Sequence, residues 1–321
     1  NSIQLTATGV SSQVIGMGAT TAPSSFTGNT IRNMTTNIGT GTVTGASMIG
    51  ILASAATPNH TLSQNTVHTL TNTNGTAASI VTGIQFNGST ANVVESNSIY
   101  NLLAPTTSTA AEINGIRVAG GTTQYRNNMI SLGANQAIAI GTNATNSSTA
   151  GINGFNGALG TDTFVHNSVY IGGTATSGSG NSYALNGTQT TNARSFRNNI
   201  FQNSRTNSGA TGKHYAVKIN GTVANPTGLT INNNIYYTNG TGGVFGFFNS
   251  LDVANLAAWR TVVGQDAGSI ESNPQFNDPT TATPDLHLHP TNPTVAEGGG
   301  VDVGVVLDFD GQTRSGLTPV D

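Results

Sequence analysis

A short pattern that returns at regular intervals constrains this chain more than any other feature of its sequence. An asparagine stands two residues before an Ile or Val at seven places: Asn29, Asn65, Asn97, Asn128, Asn167, Asn198 and Asn233. The successive Ile or Val residues are separated by 36, 32, 31, 39, 31 and 35 residues. Because recurrence at such intervals is typical of stacked structural units, we expect a repeat array.

A second pattern, a small residue followed by an apolar one, keeps the same phase. Its members are Gly16-Met17, Gly50-Ile51, Gly83-Ile84, Gly115-Ile116, Gly151-Ile152, Ala184-Leu185 and Ala216-Val217, with Gly246-Phe247 as a further candidate. Runs such as Ile84-Gln85-Phe86 alternate apolar and polar residues, as strands do. The abundance of Thr, Asn, Gly and β-branched residues disfavours helix. The repeats are therefore predicted to consist of short strands.

Short strands repeating about every 34 residues stack most simply as the coils of a parallel β-solenoid. In that arrangement the seven asparagines lie above one another, so each amide can donate to and accept from the next. Asparagine also tolerates the left-handed backbone of a tight corner. The pattern thus predicts an asparagine ladder at a corner of the coil, and the long polar segments that follow it should emerge on one side.

Composition alone, weakly charged and dominated by Gly, Thr, Asn and Ser, is typical of disordered chains. Charged residues make up 7% of the sequence and there is no cysteine, which excludes disulfides and thiol-ligated metals. The periodic return of Ile and Val argues against disorder. No apolar run approaches the roughly 18 residues of a membrane helix. The Lys and Arg residues are too dispersed for a nucleic-acid-binding surface.

The sequence changes character near residue 250. Residues 1–250 contain eight Lys or Arg and three acidic residues, whereas 251–321 contain two Arg and ten acidic residues. Leu256, Trp259 and Val263 share one face of a helix predicted over about 251–263, with Ser250 as its cap and Gly264 at its end. We therefore divide the chain into repeats (1–249) and a capping segment (250–321), with the helix as a plug followed by short strands and loops.

The repeats over about 10–245 resemble right-handed parallel β-helix proteins, a family that includes pectin-degrading enzymes and non-enzymatic bacterial surface proteins. The resemblance rests on the Asn-x-Ile/Val corners and the Gly-Ile strand starts. It implies an all-β, right-handed solenoid of about 7–8 coils with a short helix and an irregular cap. Residues 256–321 resemble the terminal segment of large bacterial proteins exported by the type IX route. This likeness implies an extracellular or cell-surface location.

Catalytic candidates are scarce. Pectin-cleaving β-helices need clustered acids, either to bind calcium or to act as acid and base, and the acids of the repeats, Glu95, Glu112 and Asp162, do not form a pair by position. The outward row of the Gly-Ile strands is predicted to be Leu52, Gln85, Arg117, Asn153, Asn186 and Lys218. Its only charged residues, Arg117 and Lys218, could bridge an anionic glycan; solvated surface charges are the simpler interpretation. Tyr183 and Tyr215 occupy equivalent positions and are either a sugar-stacking pair or ordinary packing residues.

One weak metal candidate lies in the capping segment. Asp285, His287 and His289 alternate along a predicted strand, so their side chains share a face that could hold a divalent ion. A surface role is the simpler interpretation, and the sequence predicts no cofactor.

These observations favour a non-enzymatic extracellular structural or adhesin module, a fragment of a larger surface, matrix or filament protein. The alternative is a carbohydrate-binding or polysaccharide-degrading β-helix that uses the outward face of the Gly-Ile strands. Expected partners are neighbouring domains, a second copy associated end to end, or a glycan. Neither nucleic acid nor membrane insertion is expected.

Overall fold

Stacked parallel strands form a β-solenoid of about seven turns. The computed structural model describes residues 3–5, 13–39, 46–108, 110–133, 151–157 and 159–314. Each complete coil contributes one strand to each of three sheets, so the sequence repeat corresponds to one coil. The prediction of an all-β solenoid with one short helix is confirmed.

The strands are numbered in chain order. They are β1 (Ile3–Leu5), β2 (Val14–Ala19), β3 (Ser25–Thr27), β4 (Thr30–Thr36), β5 (Met48–Ala53), β6 (Thr61–Ser63), β7 (Thr66–Asn72), β8 (Ile80–Asn87), β9 (Asn92–Glu95), β10 (Ser98–Leu103), β11 (Glu112–Gly120), β12 (Thr123–Arg126), β13 (Met129–Leu132), β14 (Gly151–Asn156), β15 (Asp162–Val165), β16 (Ser168–Ile171), β17 (Thr174–Ala175), β18 (Ser182–Gly187), β19 (Arg194–Arg197), β20 (Ile200–Asn203), β21 (Thr206–Asn207), β22 (His214–Ile219), β23 (Leu229–Asn232), β24 (Ile235–Thr238), β25 (Gly243–Phe248), β26 (Leu251–Val253), β27 (Ile270–Glu271), β28 (Phe276–Asp278) and β29 (Asp285–Leu288), with the helix α1 (Leu256–Val263).

Three sheets run the length of the solenoid. Sheet A has the order β1-β4-β7-β10-β13-β16-β20-β24-β27, sheet B the order β2-β5-β8-β11-β14-β18-β22-β25-β26, and sheet C the order β3-β6-β9-β12-β15-β19-β23, written here from the first coil to the last. All pairings in these sheets are parallel except that of β25 with β26. The first complete coil is β2–β4 and the seventh is β22–β24, with β17 and β21 as an additional pair between loops.

The core lies between the sheets and is continuous along the axis. Sheet C contributes stacked aromatic rings, with centroids 4.8 Å apart between Tyr125 and Phe164 and 4.7 Å apart between Phe164 and Phe196. All three side chains are fully buried. Since each ring packs against the ring of the next coil, the row forms a continuous line of contacts along the solenoid axis.

The small residues of sheet B let the opposite sheet approach closely. A Cβ on Gly50 would lie 2.3 Å from Cγ1 of Val67, and one on Gly154 would lie 2.4 Å from Cγ1 of Val169. The fifth coil therefore uses Gly154 at this position. The prediction of Gly151 there is wrong. This coil contains two successive Gly-apolar pairs, Gly151-Ile152 and Gly154-Phe155, and strand pairing aligns Phe155 with Ile116.

An asparagine ladder runs along one corner of every complete coil. The Nδ2 of Asn65 donates to Oδ1 of Asn97 at 2.9 Å and to the carbonyl oxygen of Phe26 at 2.8 Å. The backbone N–H of Asn65 donates to the same Oδ1 at 3.0 Å. Equivalent amide contacts link Asn29, Asn65, Asn97, Asn128, Asn167, Asn199 and Asn234.

The predicted ladder residues Asn198 and Asn233 are wrong by one position. Asn199 and Asn234 form the ladder in the last two coils. Asn198 and Asn233 instead occupy the preceding corner, with φ values of 56° and 57°. The corner residues with positive φ are Gly28, Gln64, Ser96, Asn127, His166, Asn198 and Asn233. The ladder and the left-handed corner are thus adjacent positions, although one asparagine was predicted to serve both.

The cause of this error is a change of core residue. Parallel pairing aligns Val169 with Phe201 and Phe201 with Tyr236, so aromatic residues replace the β-branched residue in the last two coils. Ile200 and Ile235 precede these aromatics and fall outside the core row. The motif therefore matched the wrong isoleucines.

The helix begins later than predicted. Leu251–Val253 form β26 on the end of sheet B, and α1 starts only at Leu256, where the side chain of Asn255 accepts from the N–H of Ala258 at 2.9 Å. The predicted start at 251 with a Ser250 cap is wrong because these residues pair with β25. Gly264 ends the helix with φ 76°, as predicted.

The helix covers the last coil, and the segment that follows it terminates the ladder. Trp259 is fully buried, and its Nε1 donates to Oδ2 of Asp266 at 2.8 Å. The hydroxyl of Tyr236 donates to the same oxygen at 2.9 Å, and Ser269 Oγ donates to Oδ1. The N–H of Asn234 donates to Ser269 Oγ at 2.8 Å. Burial raises the pKa of Asp266.

Residues 273–314, here called the returning tail, run back along the side of the solenoid. Asn198 Nδ2 donates to the carbonyl oxygen of Val301 at 2.6 Å, and Asn127 Nδ2 donates to that of Leu307 at 2.8 Å. Phe276 of the tail packs in a small apolar cluster with Leu286 and Tyr170. The capping segment thus closes the end with its helix and lines the side with its tail.

Candidate functional site

The outer face of sheet B is the surface that sequence analysis singled out for a possible groove. One outward row consists of Leu52, Gln85, Arg117, Asn156, Asn186 and Lys218. Arg117 and Lys218 lie in this row, three coils apart. The row was expected to include Asn153, but pairing aligns Asn156 with Arg117 because the fifth coil uses Gly154 as its small residue.

Side-chain amides form a cluster on this face. Asn114 Oδ1 accepts from Asn156 Nδ2 at 2.8 Å and from Asn153 Nδ2 at 3.0 Å. Asn186 Nδ2 extends the cluster by donating to Asn153 Oδ1 at 3.0 Å. Asn114, Asn153 and Asn186 are fully buried, and Asn156 is 9% exposed. Their hydrogen bonds fix the positions of these amides relative to one another.

Glu112 lies at one end of the amide cluster. Its Oε2 accepts from Nδ2 of Asn114 at 3.2 Å and from Nδ2 of Asn156 at 3.4 Å. Burial raises the pKa of Glu112, while the hydrogen bond from Asn114 and the charge of Arg117 oppose that shift. The carboxyl group is therefore held among neutral amides.

The other carboxyl groups of the repeats lie elsewhere. Glu95 forms an ion pair with Arg126 at 2.6 Å, and Asp162 accepts the backbone N–H groups of Thr123 at 3.1 Å and Gly160 at 3.2 Å. Burial raises the pKa of Asp162 to about 7. The three carboxyl groups of the repeats thus have separate partners.

Tyr183 and Tyr215 stack on each other, with ring centroids 5.2 Å apart and an angle of 5° between the planes. They are 2% and 0% exposed, so neither ring presents an open face to a sugar. The hydroxyl of Tyr215 donates to Oδ1 of Asp252 at 2.9 Å, and Asp252 also pairs with Lys213. Burial, followed by the nearby Asp252, raises the pKa of Tyr215.

Lys218 lies between two aromatic rings. Its Nζ is 5.3 Å from the ring centroid of Tyr183 and 5.7 Å from that of Phe247, distances typical of cation–π contacts. The residue is 3% exposed, and burial lowers the pKa of its amine to about 8. Lys218 and Tyr183, considered separately in the sequence, therefore form one cluster.

The metal candidates do not converge. The Nδ1 of His287 contacts Asp285 Oδ1, and its Nε2 is 3.0 Å from Oδ2 of Asp310. His289 instead accepts the N–H of Asn292 at 3.2 Å. Among the described residues, no group of three or more His, Cys, Asp or Glu side chains is arranged to hold a metal ion.

Sequence reasoning missed Asn114, Asn156 and Asp252. The recurrence of Asn on one face of successive strands was a usable signal for the first two, once the fifth coil was aligned on Gly154. Asp252 had no such signal, because it was assigned to the helix.

Comparisons of the chain with protein-family models, with curated proteins and with solved structures found no match. In the described part of the chain, no helix is both long and apolar enough to cross a membrane.

Proposed function

We propose that this chain is a non-enzymatic structural module of an extracellular surface, matrix or filament protein, and that the solenoid serves as a rigid support for the polar loops on one edge. The asparagine ladder carries this proposal. It joins every complete coil and ends on the buried Ser269–Asp266 pair. Since a buried amide with all its groups satisfied strongly favours one geometry, the ladder holds neighbouring coils in fixed register.

The outer face of sheet B supports the same role. Its amides bond to one another, and Tyr183 and Lys218 are buried. A surface that binds polysaccharide needs accessible rings and polar groups, whereas a supporting surface benefits from mutual satisfaction of its groups. The resemblance of 256–321 to exported proteins supports a location outside the cell and a bacterial, type IX origin. Neighbouring domains or a second copy are its proposed partners.

A carbohydrate-active role at the outer face of sheet B is the second candidate. Arg117 and Lys218 share one row and, at the usual strand spacing, lie about 14 Å apart, a distance that an extended anionic glycan can span. The burial of Lys218 argues against direct contact with such a glycan. We therefore rank this role below the structural one.

Incubation with a panel of neutral polysaccharides and polyuronates tests the proposal. We expect the purified chain to release no reducing ends or unsaturated uronates above a heat-denatured control. The variants Glu112→Gln, Asp162→Asn and Arg117→Ala/Lys218→Met serve as comparisons. Turnover by the wild-type chain that one of these folded variants abolishes would overturn the structural proposal in favour of an enzyme. Antibody labelling of intact source cells tests the location separately.

A further inference from the structure

A cavity of about 480 Å³ lies where the returning tail crosses the outer side of sheet A. Its floor is formed by the fifth and sixth coils, and its walls by the turn after β24 and by the tail segment before and within β28. Small-molecule sites have volumes of about 300–1,000 Å³, so the space suits a small ligand or one unit of a larger one. The cavity lies on a different sheet from the amide cluster.

The floor contains an aromatic ring and a buried amide. Tyr170 and Gln202 are cross-strand neighbours on β16 and β20 and are each 6% exposed. Gln202 Nε2 donates to Ser204 Oγ at 2.8 Å. Its Oε1 is buried and has no hydrogen-bond partner among the described residues. Gln202 and Tyr170 both line the cavity, so its floor places an amide beside an aromatic ring.

The walls add further neutral hydrogen-bonding groups. Asn239 and Thr241 lie on one side, and Asn273 and Gln275 lie on the other. Together with Gln202 they offer both donors and acceptors. None of the eleven described residues that line the cavity carries a charge. The lining therefore combines amides and hydroxyls with the rings of Tyr170 and Phe276.

This lining discriminates between ligand classes. A charged ligand would meet no opposite charge, and an apolar one would leave the amides unpaired. An extended peptide binds most readily by adding to a free strand edge, but β16 and β20 are paired on both sides. A polyhydroxylated, uncharged ligand satisfies the amides through its hydroxyl groups and can lie against an aromatic ring.

We propose that this cavity is a binding site for a neutral saccharide, held by hydrogen bonds to the exposed wall residues Asn239 and Thr241 above a floor formed by Gln202 and Tyr170. The site is independent of the structural role proposed above, since a supporting module can carry a glycan-binding site without catalysis. It is also separate from the surface considered for Arg117 and Lys218.

The test is binding of the full chain to an array of neutral and acidic oligosaccharides, followed by titration calorimetry with the best neutral binder. We expect saturable binding of neutral sugars, weakened at least tenfold by Gln202→Leu. Gln85→Leu is a matched control, because Gln85 is 5% exposed and its Oε1 is likewise buried without a partner among the described residues, but it lies on sheet B. Gln85→Leu should bind as the wild type does.

Thermal melting establishes whether each variant is folded. If Gln202→Leu does not fold, Asn239→Ala, at an exposed wall position, replaces it and should also weaken binding. The proposal is overturned if no neutral sugar binds, if acidic sugars bind equally well, or if the folded cavity variant retains full affinity. Loss of binding in Gln85→Leu as well as Gln202→Leu would also overturn it, because the effect would then not be local.

Discussion

A Cβ atom on Gly83 would lie 2.5 Å from Cγ2 of Ile99, which faces it from sheet A of the same coil. The same relation joins Gly115 to Ile130, also at 2.5 Å. Where the sheet A position is aromatic, at Phe201 and Tyr236, the equivalent sheet B positions hold Ala184 and Ala216. A β-branched residue on sheet A thus places its methyl branch where the Cβ of an alanine on sheet B would lie. An aromatic residue on sheet A leaves that space free.

Gly83→Ala should therefore reduce the free energy of unfolding by about 2–3 kcal/mol through overpacking. Gly75→Ala is the control, since a Cβ there has nothing within 4 Å, and it should change stability little. Adding Ile99→Ala to Gly83→Ala should be less damaging than the sum of the single changes, because it removes the clash with Ile99 and leaves only the 2.7 Å approach to the carbonyl oxygen of Gly115. Denaturant titration of all four variants measures the coupling, and strict additivity would contradict this account.

The ladder and its corner should respond in opposite ways to substitution. Asn97→Ala removes the Nδ2 bonds to Asn128 and Leu62, both 2.9 Å long, and the acceptor for two N–H groups of Asn65. We expect a loss of about 3 kcal/mol or more. Ser96→Gly, at the adjacent corner with φ 50°, should be neutral or stabilising, since glycine adopts this conformation without strain. Thermal melting that ranks the two variants in reverse would exclude the assigned register.

Asp162 should make stability depend on pH. Burial raises its pKa in the folded chain to about 7, above the ordinary value of 3.8. The folded state then holds the proton more tightly, so the contribution of this group is fully present below pH 3.8 and is lost as the pH rises through 7. Compared with Asp162→Asn, the wild type should lose up to about 1.4 kcal/mol per pH unit in this window. Unfolding free energies of both proteins at pH 4 to 8 test this, and a constant difference between them would contradict it.

Lys218 should make the free energy of unfolding depend on pH over a higher pH range than Asp162 does. Burial lowers the pKa of its amine from 10.5 to about 8, so the folded state disfavours the charged form. The contribution of this group is present above pH 10.5 and is lost as the pH falls through 8. Relative to Lys218→Met, the wild type should therefore gain stability between these values. Chemical denaturation at several alkaline pH values measures this gain, with Leu52→Met from the same row as a control that should show no such trend.

The solenoid was predictable because its cause is local and repeated. Each Asn-x-Ile/Val corner and each Gly-apolar pair results from the same packing requirement in every coil. The helix face that contains Trp259 was predictable from the spacing of Leu256, Trp259 and Val263. Prediction failed where one local pattern fitted two alignments. Ile200 competed with Phe201 for the core row, and Gly151 competed with Gly154.

One available signal would have corrected the ladder. Five coils place an apolar residue three positions before the ladder asparagine, whereas Phe196 lies only two positions before Asn198. With Asn199 in the ladder, the spacing is restored. The position of the returning tail had no comparable signal, because contacts such as that of Asn127 with Leu307 join residues 180 positions apart.

The returning tail changes how this molecule should come apart. In a plain solenoid each coil contacts only its neighbours, so unfolding can start at an end and spread one coil at a time. Here Asn198 and Asn127 are tied to one continuous segment that starts beyond the last coil. Because the tail connects coils that are not neighbours, we expect coils four to seven to unfold together as one cooperative unit.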